Sequence, residues 1–210
     1  MFIGAAAISA NPGALRGAID HALRNLRVTW PDRASLDRLQ HLHFQRQKPD
    51  ERIAVLRSLA RHNASQRSPN ACILVVAVLP ISVFAASAKK ESIYIEGTGW
   101  LLRQLVPLLP KDAELDLYLD DPVGGNREKK KRLLSAVRNL AEPAWVADSL
   151  SLEFAHKEQE RLIQWADYVA GATLQRWLRG NSAPWDVISP FVHAIPSMPL
   201  LPGELQRHRY

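Results

Sequence analysis

The chain has 210 residues, of which 47% are hydrophobic and 23% charged; this fits one domain, or one domain with an appendage, and excludes two independent enzymes. The composition is that of ordinary globular proteins and excludes disordered and fibrous chains. Lysine and arginine exceed aspartate and glutamate by 27 − 21 = 6, so the net charge of +6 is compatible with a polyanionic partner.

Strand and helix patterns alternate from the first residue. Residues 1–9 are short and apolar and predict a strand, after which Asn11 and Pro12 supply an N-cap and a first helical residue. A helix that ends before Pro31 is predicted by apolar residues at helical spacing: Leu15, Ile19, Leu23 and Leu26. Pro49 begins a second helix, whose apolar stripe consists of Ile53, Leu56, Leu59 and Ala60.

The uncharged run 71–88 is as long as a short membrane span. Pro80 at its middle and its β-branched residues favour instead a buried strand at 72–79 followed by a turn. Cys72, the single cysteine, excludes an internal disulfide framework and a thiolate zinc site, and is expected to be a small buried side chain. The N-terminus has no basic region of the secretory type. We therefore expect a cytoplasmic protein with no membrane partner.

The alternation continues through the second half. The predicted elements are a helix at 91–109, a strand at 114–120, a helix at 127–140, a strand at 150–154 and a helix at 158–178. Gly97 and Gly99 weaken the first of these helices. We predict an α/β domain at 1–179 with an at least partly parallel sheet flanked by helices. The proline-rich tail, 180–210, is expected to be irregular.

Asp167 is an anomaly in the last predicted helix. Spacings of four, three and four place it in one stripe with apolar residues that should face the sheet: Ile163, Ala170 and Leu174. A carboxylate there needs a partner, because desolvating an isolated charge is costly. Gln164 adds a second polar group on nearly the same face. The spacing leaves two explanations open, namely an arginine partner at the helix edge, or metal binding or catalysis.

Other polar residues give weaker signals. Asp120 and Asp121 end a strand before a turn, where such residues usually shape the turn, although catalytic groups also lie at the carboxyl ends of strands. His156 lies between a strand and a helix and is a ligand, a phosphate contact or a helix-start residue. His41 and His43 would project together from a strand, where they could hold a metal ion, but need not do so from a loop.

The helix at 127–140 is strongly basic. Its cations include a consecutive run that is either a solvated face or a surface for phosphodiesters: Lys129, Lys130, Lys131 and Arg132. The sequence contains no Walker loop, no strand-associated GxGxxG, no HExxH and no GxSxG. Four common enzyme classes therefore lack their motifs.

The segment 154–172, FAHKEQERLIQWADYVAGA, resembles the C-terminal signature of the bacterial and phage family catalogued as domain of unknown function 3800. In that signature a leucine-Gln-x-Ala-Asp sequence runs into a helix of small residues. Leu42-His43, a helix led by Tyr94 and a strand ending at Asp120 follow the family's order, so that the resemblance covers residues 1–179.

The resemblance implies a ribonuclease H-like mixed sheet flanked by helices. It makes Asp120 and Asp167 the metal-binding catalytic carboxylates, with Gln164 supporting and His156 or His43 nearby. The implied cofactor is Mg²⁺ or Mn²⁺, because hard cations prefer oxygen ligands, and two such ions would activate water for attack on phosphate.

The chain departs from the family pattern at its beginning. The family opens with a central strand that carries Asp-Glu-Ser-Gly, which occurs nowhere here, and His41 stands where the family has a glutamate. We expect a start internal to a longer gene rather than a shortened relative whose sheet is completed by a partner or a second copy, because exposed interior strands promote aggregation.

The functional expectation is a Mg²⁺- or Mn²⁺-dependent nuclease or phosphodiesterase acting on DNA or RNA, inactive if the first-strand aspartate is truly missing. The alternative is a non-catalytic nucleic-acid-binding or protein-interaction module that uses the basic helix. A third, weaker possibility is a small-molecule phosphohydrolase.

Overall fold

The computed structural model describes residues 2–9, 11–32, 42–65, 73–79, 89–110, 114–121, 126–142, 150–155 and 160–194. The chain divides into two compact units. The first unit consists of residues 1–4 and 77–156, and the second of residues 5–76 and 157–210.

The described residues form a mixed α/β protein, as the alternation predicts. The strands are β1 (Phe2–Ile8), β2 (Ile73–Leu79), β3 (Leu115–Asp120), β4 (Leu150–Ala155) and β5 (Val192–Ala194). The helices are α1 (Pro12–Thr29), α2 (Pro49–Ser65), α3 (Lys90–Leu105), α4 (Arg127–Ala141), α5 (Leu162–Arg179) and α6 (Ala183–Ile188). One sheet has the order β1-β2-β5 and the other pairs β3 with β4. The β2/β5 and β3/β4 pairs are parallel.

The first unit is built on β3 and β4. Their register runs from Leu115 opposite Leu150 to Asp120 opposite Ala155, so the two strands end side by side. Helix α4 packs on both α3 and β4. A Cβ atom added at Gly99 of α3 would lie 2.6 Å from the Cβ of Leu140, so the glycine that weakens the helix also permits its close packing on α4.

The second unit is mostly helical. Helix α1 packs on α2 and α5, and α6 packs on the same two helices. Asn11 caps α1 by accepting the N–H of Ala14 at 3.1 Å, and Pro12 occupies a first-turn position, as predicted. The largest side chains with almost no exposed surface in this unit include Ile19, Leu26, Leu56, Leu59 and Trp165.

The prediction of an irregular tail is wrong for residues 183–194. Pro184 lies in the first turn of α6, where a missing N–H costs no hydrogen bond, and Pro190 lies similarly in a 3₁₀ turn. Ile188 is fully buried, and β5 pairs with β2 through Val192–Ala194 opposite Leu74–Val76. Residues 195–210 lie outside the described residues.

Two other predictions need correction or completion. The last long helix begins at Leu162 instead of 158. The predicted strand at 72–79 is confirmed as β2, whereas Cys72 and residues 80–88 lie outside the described residues. Within the part of the chain that the structure describes, no helix combines the length and apolar character needed to cross a membrane.

Candidate functional site

Helix α5 holds the segment Leu42–Phe44 through two side chains. Gln164 Oε1 accepts the N–H of Leu42 at 2.8 Å, and Asp167 Oδ2 accepts the N–H of Phe44 at 3.0 Å. His43 between them is extended, so that the N–H groups of its two neighbours lie on one side of the chain. Gln164 and Asp167 are three residues apart and share a helix face, which matches this arrangement.

Phe44 fixes the same segment by packing. Its ring meets that of Tyr168 edge to face, with the centroids 5.4 Å apart, and the Arg52 guanidinium lies 4.8 Å from the ring centroid. Arg52 Nε also donates to the Phe44 carbonyl at 2.7 Å. A Cβ atom at Gly171 would lie 2.3 Å from the ring, so Phe44 rests directly against α5. Helices α2 and α5 together determine the position of residue 43.

The structure brings His43 next to Asp167. Their Nδ1 and Oδ2 atoms are 3.6 Å apart, and the two side chains are 24% and 21% exposed. This distance exceeds that of a hydrogen bond but allows an ion pair when the imidazole is protonated. The pair therefore combines a fixed carboxylate with an imidazole that retains access to solvent.

The predicted core-facing stripe through Asp167 is wrong in part. Of its four members only Ile163 is buried, whereas Asp167, Ala170 and Leu174 are partly exposed. The buried face instead runs through Trp165, Tyr168, Val169 and Ala172, because α5 also packs on α1, α6 and Phe44. Gln164, 2% exposed, is the more deeply buried polar side chain, and its Oε1 acceptor is satisfied by the N–H of Leu42.

Tyr168 adds an ionisable group beside Asp167. Burial raises the pKa of its hydroxyl well above the usual value, and the Asp167 carboxylate raises it further. The hydroxyl has no hydrogen-bond partner among the described residues. Tyr168 is therefore neutral at any physiological pH and acts through its ring.

The other predicted carboxylates lie in the first unit. Asp120 is exposed at the end of β3, and its backbone oxygen accepts the Tyr94 hydroxyl at 3.2 Å. Asp121 has a 1% exposed side chain that pairs with Lys130 Nζ at 2.5 Å. Burial raises the pKa of Tyr94 far above its ordinary value, with smaller contributions from Asp120 and Asp121.

The basic residues of α4 divide into two groups. Lys130 pairs with Asp121, and Lys129 Nζ lies 3.0 Å from Glu91 of α3, so both lysines link α4 to neighbouring elements. Lys131 and Arg132 are exposed. Lys129 is also exposed, so these three predicted nucleic-acid contacts lie on the surface, and of them Lys129 has an acidic neighbour in Glu91.

The structure thus gathers His43, Gln164 and Asp167 in the second unit and places Asp120 and Asp121 in the first. His41 and His156 lie outside the described residues. Among the residues that are described, no group of three or more histidine, cysteine, aspartate or glutamate side chains is placed to hold a metal ion. Of the described residues at this site, Asp167 is the carboxylate that would hold a Mg²⁺ or Mn²⁺ ion, and Mg²⁺ commonly keeps water and phosphate oxygens among its ligands.

The sequence reasoning missed the network at the beginning of α5. Glu160 is 5% exposed, and its carboxylate accepts hydrogen bonds from Arg16 Nε at 3.1 Å and from Arg16 Nη2 at 2.5 Å. Glu160 Oε1 also accepts the N–H of Leu162 at 2.9 Å, so it caps the helix. Acidic residues just before an apolar helical pattern are a signal for such a cap. The partner Arg16 lies 144 residues earlier and gives no local signal.

Comparison with known proteins identifies no relative. No protein-family model, no curated protein and no solved structure matches the chain. The resemblance carried by residues 154–172 stays a prediction.

Proposed function

We propose that the protein is a divalent-cation-dependent phosphodiester hydrolase, with Asp167 and His43 at its reaction centre. The observation that carries the proposal is the closeness of these two side chains, with His43 Nδ1 3.6 Å from Asp167 Oδ2, where His43 lies on a segment that α2 and α5 hold in place. A carboxylate suits a hard cation, and a partly exposed imidazole is a suitable group for proton transfer to or from a substrate.

Each residue of the centre has a distinct role in this proposal. Asp167 binds the cation while its Oδ2 stays oriented by the N–H of Phe44. Gln164 is a positioning residue, because it acts through the backbone of Leu42. His43 transfers a proton to or from the attacking water or the leaving oxygen. A bound Mg²⁺ or Mn²⁺ supplies charge stabilisation for phosphate and lowers the pKa of water.

The finer form of the proposal is a ribonuclease H-like nuclease. Its support is the sequence resemblance carried by residues 154–172. The proposed substrate class is DNA or RNA.

The test combines thermal unfolding in Mg²⁺ or Mn²⁺ with cleavage assays on single- and double-stranded DNA and RNA. We expect either cation to raise the melting temperature and to permit cleavage. Asp167→Asn should abolish both effects while the asparagine carbonyl still accepts the N–H of Phe44. His43→Gln should lower cleavage and leave the cation effect in place.

Two exposed carboxylates serve as controls. Asp186 of α6 and Asp116 of β3 are both exposed and lie outside the proposed reaction centre. Their conversion to asparagine should change neither cleavage nor the cation effect. A wild-type protein with no cation-dependent stabilisation and no cleavage of any of the four substrates would contradict the proposal.

A second candidate function is non-catalytic binding of nucleic acid by α4. It is favoured by the exposed cations Arg127, Lys131 and Arg132 on that helix. It predicts salt-sensitive binding that survives Asp167→Asn and is lost in a Lys131→Glu, Arg132→Glu double variant. Binding that is unchanged in the double variant would exclude this function.

A further inference from the structure

A basic depression lies in the second unit, between α1 and the residue that precedes α5. Its volume is about 420 Å³, and it is lined by Asp20, Leu23, Arg24, Arg27 and Arg161. We call this surface the arginine depression. It contains none of the residues assigned to the reaction centre.

The local geometry explains how three arginines meet there. Arg24 and Arg27 are three residues apart on α1 and share a face, with Asp20 one turn earlier. Arg161 forms an ion pair with Asp20, which holds its guanidinium at the rim. The adjacent Arg16–Glu160 pair fixes the beginning of α5 against α1.

The charge of the depression favours an anion. The three arginines and Asp20 give a net charge of 3 − 1 = +2. The positive end of the 18-residue helix α5 begins next to Arg161 and adds to the potential. Arg24 is exposed, and no described residue forms an ion pair with it. Arg24 therefore offers its guanidinium to a ligand that approaches from solvent, and the positive charges of Arg27 and Arg161 lie beside it.

The ligand class follows from this chemistry. Guanidinium groups bind phosphoryl oxygens in pairs, and several of them together suit adjacent phosphoryl groups. The volume falls in the range of small-molecule sites, and the buried Leu23 supplies an apolar wall. We propose that the arginine depression binds a small anion with at least two phosphoryl groups, such as a nucleoside polyphosphate.

This site is separate from the His43–Asp167 pair. Arg161 and Asp167 are six residues apart, which turns their side chains by about 240° around the helix axis. Asp167 faces the segment that contains Phe44, whereas Arg161 faces Asp20 of α1. The proposal therefore does not depend on the proposed hydrolase activity.

Isothermal titration calorimetry in the absence of metal tests the proposal. The probes are inorganic pyrophosphate, ATP and a short single-stranded DNA. We expect pyrophosphate and ATP to bind, and an Arg24→Ala, Arg27→Ala double variant to bind them about tenfold more weakly or worse. Arg57→Ala, Arg61→Ala is the matched control, because both arginines are exposed on α2 and neither lines the depression; this variant should bind the two probes as the wild type does.

Arg161→Lys is a second variant, which keeps the positive charge opposite Asp20 but removes the planar guanidinium with its paired N–H donors. It should also weaken pyrophosphate binding. The proposal is overturned if neither pyrophosphate nor ATP binds, if the Arg24/Arg27 variant binds them normally, or if DNA alone binds. Pyrophosphate binding in a protein that never cleaves nucleic acid would overturn the hydrolase and leave the arginine depression standing.

Discussion

At Gly171 the absence of a side chain lets Phe44 lie against α5. An added Cβ atom would lie 2.3 Å from the Phe44 Cγ and 2.9 Å from its Cβ, and the latter atom moves only with the backbone. We expect Gly171→Ala to lower the free energy of unfolding by about 1–3 kcal/mol, measured by urea denaturation. A neutral or stabilising effect would contradict the packing of Phe44.

The control for this substitution is Gly17, which is exposed on α1 and has no other group within 4 Å of an added Cβ atom. Gly17→Ala should stabilise the protein by about 0.5–1 kcal/mol, because alanine favours the helix and meets nothing. The two glycines share a helical setting, so opposite signs isolate the contact at Gly171.

Tyr168 makes stability depend on alkaline pH. Its folded-state pKa lies above the unfolded value of about 10, so the unfolded chain loses its proton first as the pH rises. Ionisation of Tyr168 therefore does not lower the free energy of unfolding below about pH 10. The free energy of unfolding falls as the pH rises from there toward the folded-state pKa. Tyr168→Phe should flatten this loss in urea denaturation series between pH 9 and 11 (about one unit either side of the unfolded pKa).

Tyr94→Phe provides the comparison at neutral pH. Tyr94 donates a hydrogen bond to the Asp120 oxygen, so its removal should cost about 1 kcal/mol. The Tyr168 hydroxyl has no such partner among the described residues, and Tyr168→Phe should therefore be neutral or stabilising at pH 7. An equal loss in the two variants would show that Tyr168 has a polar partner.

At the scale of elements, α5 and the segment Leu42–Phe44 behave as one structural unit. Gln164→Ala leaves the buried N–H of Leu42 without its acceptor and should cost about 1–3 kcal/mol in urea denaturation. Asp167→Ala should have a similar effect at Phe44, whereas Asp167→Asn keeps an acceptor and should cost less than about 1 kcal/mol.

This series also separates stability from chemistry. If Asp167→Asn unfolded the protein as strongly as Asp167→Ala, loss of cleavage in the asparagine variant would not report on the reaction centre. Near-native stability with loss of cleavage would assign Asp167 a chemical role beyond its hold on Phe44.

Local signals predicted most of the elements. Asn11 and Pro12 determine where α1 begins, and Asn126 caps α4 by accepting the N–H of Lys129 at 2.9 Å. The alternation of leucine with polar residues and tyrosine at 114–120 also predicts the strand β3. The sequence pattern places the beginning of α5 at residue 158, four residues too early. In the structure the Glu160 carboxylate, which Arg16 orients, accepts the N–H of the first helical residue, Leu162.

At the scale of the whole molecule, the residues after α5 belong to the second unit. A chain that ends at Asn181 should be less stable than one that ends at Ala194 by at least about 2 kcal/mol, because Ile188 is fully buried and β5 pairs with β2. Both chains lack 195–210, so urea denaturation of the pair measures the contribution of 182–194 alone.

If the chain that ends at Asn181 does not fold, a single substitution in the full-length chain tests the same region. Ile188→Ala should cost about 2–4 kcal/mol. Equal stability of the two truncated chains, or a negligible effect of Ile188→Ala, would contradict a stabilising role for residues 182–194.

The sequence by itself determined the class of the protein, the order of its main strands and helices, and the polar anomaly at Gln164 and Asp167. These features depend on periodicity and caps within a few residues. Only the tertiary structure decided what the polar residues contact. Gln164 and Leu42 are 122 residues apart, and Asp167 and Phe44 are 123 apart. Such partners are selected by packing between distant elements, for which a single sequence carries no local pattern.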